Sequence, residues 1–238
     1  MKINENLILI GDKVALVPYK PEHVPKYHEW MKSPFLQEMT ASEPLTLEEE
    51  YEMQTSWHQD EDKLTFIIMS LPNDSNKCLK NLPDSEIKEN IVMVGDVNIF
   101  LNDPDNDRTF GEIEVMIAEP DYRRTGRGKE ALKIIMGYAM EVIGLKTFQA
   151  KISIENEPSV NLFKSQFGFY QVSISHVFEE VVLEWTLLEY APPTIDEYGN
   201  EVESYGSKAT TEQRDRVMQV RNDLFNYWKN NVRSSNYL

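Results

Sequence analysis

The thirteen residues EPDYRRTGRGKEA, Glu119 to Ala131, constrain this 238-residue chain more than any other feature. They follow GEIEVMIA (Gly111 to Ala118), whose alternation is that of a strand. They lead into Ala131, Leu132, Ile135, Ala139 and Val142, which recur at helical spacing until Gly144 supplies a C′ stop. A strand that passes through a glycine-containing loop into a helix offers consecutive backbone N–H groups to an anion, and glycine lets that anion come close. Arg123, Arg124, Arg127 and Lys129 add positive charge there, the densest basic cluster in a chain with 40 acidic and 24 basic residues. A phosphate-binding turn explains that concentration better than an ordinary solvated face does.

Three phosphate-binding patterns compete for the loop. The P-loop fails twice, because Arg123 stands where its first glycine is required and Glu130 where Ser or Thr is required. A dinucleotide fingerprint matches Gly126, Gly128 and Ala131, yet seven residues, Glu119 to Thr125, separate the first glycine from the strand it should directly follow. The glycine motif alone is weak, so the choice rests on its surroundings.

Those surroundings read as mixed α/β. KVALVPY (Lys13 to Tyr19) is a strand stopped by Pro18 and Pro21, and Pro21 opens a helix to Met31. A hydroxyl before two acids starts a second helix at Thr46, running to Trp57. Strands follow at Thr65 to Met69 and Ile91 to Leu101, with 71–90 between them as a polar, solvated insertion. The turn formers Asn102 to Asp107 predict a hairpin between the Ile91 and Gly111 strands. Beyond the central helix come a strand (Thr147 to Ile154), a short helix (Pro158 to Gln166) ended by Gly168, and β-rich runs at 169–175 and 177–187. Ala191-Pro192-Pro193 then marks the end of a domain spanning 1–190 and begins a linker at 191–209. In the remaining segment, 210–238, Thr210 and Gln213 resemble a capping box, and Val217, Val220, Leu224 and Trp228 form one apolar face. That helix docks on its own domain or on a partner; sequence leaves both open.

Charge and cysteine usage exclude several function classes. The formal net charge is −16, and the first 190 residues hold 33 acidic against 18 basic side chains. Such a field repels nucleic acid and anionic membrane and gathers cationic partners. The lone Cys78 excludes an internal disulfide, and four scattered histidines give no metal-ligand spacing. No apolar run is long enough for a membrane span and the first residues lack a targeting signature, so a soluble cytoplasmic protein without a metal is expected.

Arg123-Arg124-Thr125-Gly126-Arg127-Gly128 resembles the pyrophosphate loop of the GNAT superfamily, Arg/Gln-x-x-Gly-x-Gly/Ala. Downstream, Asn156, Ser159, Phe163 and Gly168-Phe169 stand in the order and spacing of that family, and the succession of strands and helices matches from Lys13 to Leu187. SEPLTLEEEY (Ser42 to Tyr51), VGDVNIFL (Val94 to Leu101) and GEIEVMIAEP (Gly111 to Pro120) are similar to the N-acetyltransferase 9-like branch. The resemblance implies a twisted, mostly antiparallel sheet flanked by helices, with acetyl-CoA as co-substrate. It implies a protein amine as acceptor, on a lysine or an N-terminus, with tubulin or microtubules as the suggested target. Main-chain groups of Met116, Ile117 and Ala118 would pair with pantetheine. The loop 123–128, with Lys129 beside it, would take the pyrophosphate, Asn156 would reach pantetheine, and Ser159 and Phe163 would line the channel. Phe163 fits a core position equally well.

Acetyl transfer to an amine requires a base, since a lysine of pKa about 10.4 and an α-amine of about 8 arrive mostly protonated. Glu112 and Glu114 share one face of their strand while Ile113, Val115 and Ile117 share the other, and either glutamate could act through a water. In the superfamily a glutamate on this strand often has that role, which favours Glu114. An N–H near Ile117 would hold the oxyanion. Many members have a tyrosine acid where this chain has Phe163, leaving Tyr122 or Tyr170 as replacement donors. That departure motivates an alternative, a catalytically weak acyl-CoA-binding or microtubule-associated module. Cys78 has no neighbouring base for an acyl-cysteine step. His28, Glu43 and Trp57 could border the acceptor site, and His23, His58 and His176 have no assigned role.

Overall fold

In the computed structural model the described residues are 2–237 apart from 74, 76, 104, 189–193, 196–200 and 203–208, with backbone only at 194–195 and 201–202. Strands that are apolar on both faces need cover on both, and these chains of Val, Ile, Leu and Phe receive it. β1 (Leu7–Ile10), β2 (Val14–Pro18), β3 (Lys63–Ser70), β4 (Val92–Phe100), β5 (Phe110–Ile117), β6 (Thr147–Ser153), β7 (Tyr170–Ser175), β8 (Glu180–Thr186) and a terminal β11 (Arg233–Asn236) form one sheet. Its order is β11-β1-β2-β3-β4-β5-β6-β8-β7, antiparallel everywhere except the β5–β6 pair.

Alternation assigns the faces. Leu16, Phe66, Ile68 and Ile113 point to a core completed by α5 (Arg127–Tyr138) and α7 (Thr211–Asn231). Val17, Ile67 and Met116 point to a second core beneath α1 (Val24–Met31), α2 (Pro34–Met39) and α4 (Asp84–Asn90). Met53 and Trp57 of α3 (Leu47–Gln59) pack against this second core. The Thr46/Glu49 and Thr210/Gln213 capping boxes both form, at the starts of α3 and α7. α5 continues as a π-helical turn, Ala139–Ile143, which ends at Gly144 with φ +90°.

Several elements differ from the sequence reading. The run 71–90, expected as a solvated loop, contains α4 and buries Leu79 and Ile87, so two well-spaced apolar side chains anchor a stretch whose average composition is polar. The terminal helix stops at Asn231 instead of continuing to 238; residues 233–236 turn into β11, because the β1 edge offers a row of unpaired backbone groups and Ile10↔Arg233 through Leu7↔Asn236 satisfy them. Arg233 secures the turn through the carbonyls of Lys80 and Leu82 and the carboxylate of Asp84. α7 lies on its own chain, burying Val217, Val220 and Leu224, with Trp228 against Tyr138 at 6.0 Å. Most of the expected linker, 191–209, lies outside the described residues; within it Thr194–Ile195 (β9) pairs with Glu201–Val202 (β10). No described helix is long and apolar enough to cross a membrane.

Candidate active site

The site is opened by a parting of strands. β5 and β6 pair only at Phe110↔Thr147, Gly111↔Phe148 and Glu112↔Gln149, after which β6 follows β8 and β5 follows β4. From Ile113 to Ile117, β5 therefore presents an edge with no β6 partner, and α6 (Glu157–Asn161) begins across the gap. A cleft runs through this gap in two halves, about 490 Å³ toward the 123–129 loop and about 350 Å³ toward α3 and β8. Met39, Thr40, Val115, Met116, Asn156 and Ser159 line both halves, so the two communicate.

The loop half is shaped by backbone geometry. Gly126, at φ +86°, caps α5, and Arg124 is also left-handed at φ +58°. The four basic side chains divide. Arg123 donates to the carbonyls of Ile117 (2.8 Å) and Ala118 (2.9 Å), which fixes the turn after β5. Arg127 donates to Ser70 Oγ at 2.6 Å and stacks over Tyr122, turned away from the groove. Thr125 is likewise internal, its hydroxyl on the Tyr122 carbonyl and its own carbonyl on Lys13 Nζ. Arg124, Lys129, Gly126 and Gly128 line the groove, with Arg123 at its edge. All four basic residues thus lie between the end of β5 and the first turn of α5, and two of them are used to build the loop.

The other half has an acidic floor on the α3 side of β3–β5. Glu112 accepts from Lys151 Nζ at 2.8 Å and from Asn102 Nδ2 at 3.0 Å. Glu114 lies exposed at the cleft wall, and partial desolvation there, then the Glu112 charge, push its pKa up against a pull from Lys63 and Lys151. Asp96 of β4 is buried, its pKa pushed up to about 7 mainly by burial, with Asn98 Nδ2 donating to Oδ2 at 2.6 Å. Lys63 stands over the rings of Trp57 (3.1 Å) and Phe100 (4.1 Å), and burial brings its pKa down to about 8. Glu38, Glu155, Glu179 and Glu180 add acid around the rim.

Phe163 is 2% exposed, edge-on to Phe169 at 4.9 Å, and borders the acidic half of the cleft. Asn156 caps α6 by accepting from Ser159 N at 3.2 Å, and both residues line the channel. Tyr122 and Tyr170 do not line the cleft; Tyr170 is buried and donates to Glu184 at 2.8 Å, so neither replaces the missing tyrosine. Trp57 reaches the cleft, whereas His28 lies 3.8 Å from Glu50 outside it and Glu43 does not line it. Sequence reasoning missed Asp96, Lys63, Tyr27 and Phe178. A signal existed for Asp96 and Asn98: two polar residues at alternate positions in the buried strand VGDVNIF. Among the described residues no three His, Cys, Asp or Glu side chains gather as a metal site.

The Acetyltransferase (GNAT) domain family matches residues 13–169, which include the parted strands, the loop and α6. The chain belongs to the GNAT acetyltransferases and is an acetyl-CoA-dependent N-acetyltransferase. Within that family it is 53% identical over 189 residues to alpha/beta-tubulin-N-acetyltransferase 9 of Mus musculus, covering 79% of this chain and 75% of that protein. It is 49% identical over 196 residues to the N-acetyltransferase 9-like protein of Nematostella vectensis, covering 82% and 94%. Spermidine N-acetyltransferase from Vibrio cholerae, solved with CoA and spermine, superposes with a TM-score of 0.57 at 14% identity over 72% of this chain and 93% of that one; this likeness is one of fold.

Proposed function

We propose that the chain moves acetyl from acetyl-CoA to a primary amine of a protein, on a lysine or an N-terminus, by direct attack. The continuity of a basic, glycine-lined groove with an acid-floored pocket through one gap in the sheet carries this reading. In it the backbone of 123–128, with Arg124 and Lys129, receives the pyrophosphate, and the open β5 edge at Met116 to Ala118 pairs with pantetheine. Asn156 and Ser159 line the passage between the halves. The amine enters from the acidic side, loses a proton through Glu114 and water, and attacks the thioester carbonyl, whose oxyanion an N–H near Ile117 stabilises. Tubulin is the first acceptor to test, because the mouse relative carries it in its name.

The experiment is calorimetric titration with acetyl-CoA, followed by mass spectrometry of tubulin incubated with enzyme and acetyl-CoA. Arg124→Glu and Gly126→Asp should abolish binding; an unchanged affinity in both defeats the assignment of the groove. Phe163, with Tyr122 and Tyr170 outside the cleft, favours a second reading, an acyl-CoA-binding module with feeble transfer. Tight acetyl-CoA binding without acceptor-dependent thiol release would select it.

A further inference from the structure

Three strands place a row of polar groups on the floor of the acidic half. In register, Thr65 faces Asn98 and Asn98 faces Glu114, while one pair nearer the loop Asp96 faces Met116. Met116 lines both halves of the cleft and Glu114 only the acidic one, so Asp96 is the carboxylate beside the junction where the two halves meet. It is 3% exposed, it lines the cleft, and its Oδ1 is buried with no hydrogen-bond partner. Asn98 Oδ1, beside it, is likewise buried and unpartnered. A carboxylate oxygen left in this state is costly unless something that enters the cleft satisfies it.

We propose that Asp96 is a catalytic residue of this cleft, its free carboxylate oxygen accepting first a hydrogen bond and then a proton from the ammonium group of the acceptor. The role rests on the acetyl-transfer reading above and divides its proton path: Asp96 takes the first proton from the ammonium, and Glu114 with water carries the second. An N–H bond of the ammonium breaks and an O–H bond forms on Asp96. The neutral nitrogen bonds to the acetyl carbon as the C–S bond breaks. The second amine proton passes through Glu114 and water to the departing thiolate, and Asp96 returns its own proton to solvent. The products are the amide, the free thiol and one proton.

The groups that face Asp96 suit that exchange. Lys63 of β3 and Glu114 of β5 act on it in opposite senses, and Tyr27 of α1 and Tyr19 beyond β2 feel its charge, as both also feel Glu50 of α3. Its pKa of about 7 lets it take a proton near neutrality and release it again.

The test uses the full chain, acetyl-CoA, tubulin and a lysine peptide, with Asp96→Asn, which keeps the side chain's shape. The expected result is a loss of about 100-fold in kcat/KM with acetyl-CoA affinity within about twofold of wild type. The wild-type acid limb near pH 7 should vanish in Asp96→Asn and persist in Glu114→Gln. Infrared difference spectra should show a protonated carboxyl in wild type that ionises near pH 7 and is absent from the variant. A variant that keeps wild-type turnover and its acid limb, or a carboxyl ionised throughout pH 5 to 9, overturns the role alone. Wild-type protein that binds acetyl-CoA and acetylates neither acceptor overturns the transfer reading and this role with it.

Discussion

The hydroxyl of Tyr227, on α7, donates to the carboxylate of Glu130, in the first turn of α5. The same carboxylate accepts from the backbone N–H groups of Asp12 (2.8 Å), Lys13 (2.7 Å) and Val14 (3.1 Å). One buried side chain thus joins the β1–β2 turn, the C-terminal helix and the helix that begins at the proposed pyrophosphate loop. An acid here also complements the helix N-terminus.

Tyr227→Phe removes one of four hydrogen bonds and leaves the carboxylate otherwise satisfied. Glu130→Gln leaves one acceptor oxygen and sets an NH2 donor against the groups that the other oxygen serves, so two of the four bonds are lost and the rest weakened. Urea unfolding should show a loss of about 1 kcal/mol for the first and about 2–3 kcal/mol for the second. Equal losses would mean that the tyrosine, and not the three amides, is the main partner of Glu130.

Two glycines should answer differently to the same substitution. A Cβ on Gly95 would lie 1.9 Å from the Met116 carbonyl oxygen, a backbone atom that cannot swing aside, so β4 and β5 would be forced apart beside the cleft. At Gly144 a Cβ would meet nothing within 4 Å, and only φ +90° is unfavourable. Gly95→Ala should cost about 3 kcal/mol or more and weaken acetyl-CoA binding. Gly144→Ala should cost about 1 kcal/mol and leave binding intact. Thermal melts with and without acetyl-CoA distinguish them.

What could be read from the sequence follows from the range of the forces involved. The loop, β5 and α5 were legible because glycine, alternation and helical spacing are local signals, and so were the capping boxes at Thr46 and Thr210. β1 and β11 were not, because four residues of LILI or RSSN become strands only through pairing with each other and with β2. Arg123 and Arg127 show the same limit within the site: their presence is a local fact, but their partners lie on β5 and β3. Asp96 declares its environment only once Met116 and Lys63 are placed beside it.

The two glutamates of β5 should separate kinetically. Glu112 is committed to Lys151 and Asn102, whereas Glu114 has no such ion pair within 4 Å among the described residues and a pKa pushed up by desolvation and by Glu112. Glu114→Gln should reduce kcat by about 100-fold or more, the range of a lost general base. Glu112→Gln removes a like charge from beside Glu114, so the pKa of Glu114 should fall, while the rise in kcat near pH 7, set by Asp96, should keep its place. Its effect on kcat above that rise should stay within about fivefold, a barrier change of about 1 kcal/mol. Rate profiles of both variants check this, and a larger defect in Glu112→Gln would move the base to Glu112.

Asp96 should also be visible in the pH dependence of stability. Its folded pKa of about 7 exceeds the ordinary 3.8, so between these values the native state holds a proton that the unfolded chain has released. More protons bound in the native state means that stability falls as pH rises from about 4 to about 7 and is level above. Lys63, whose folded pKa is lowered to about 8, acts in the other direction: it holds fewer protons when folded, and its penalty is relieved only as pH climbs from about 8 toward 10.5. The two windows do not overlap. Glu114, raised as well, contributes to the wild-type curve in the same sense as Asp96, but it remains in Asp96→Asn and largely cancels in the difference. Asp96→Asn should therefore match wild type near pH 4 and become more stable than it by about 4 kcal/mol near pH 8, at 1.36 kcal/mol for each unit between the two pKa values. Urea midpoints measured from pH 4 to 8 give the comparison. A difference that shrinks as pH rises would require an Asp96 carboxylate stabilised by the fold, in contradiction to its burial without a full set of donors.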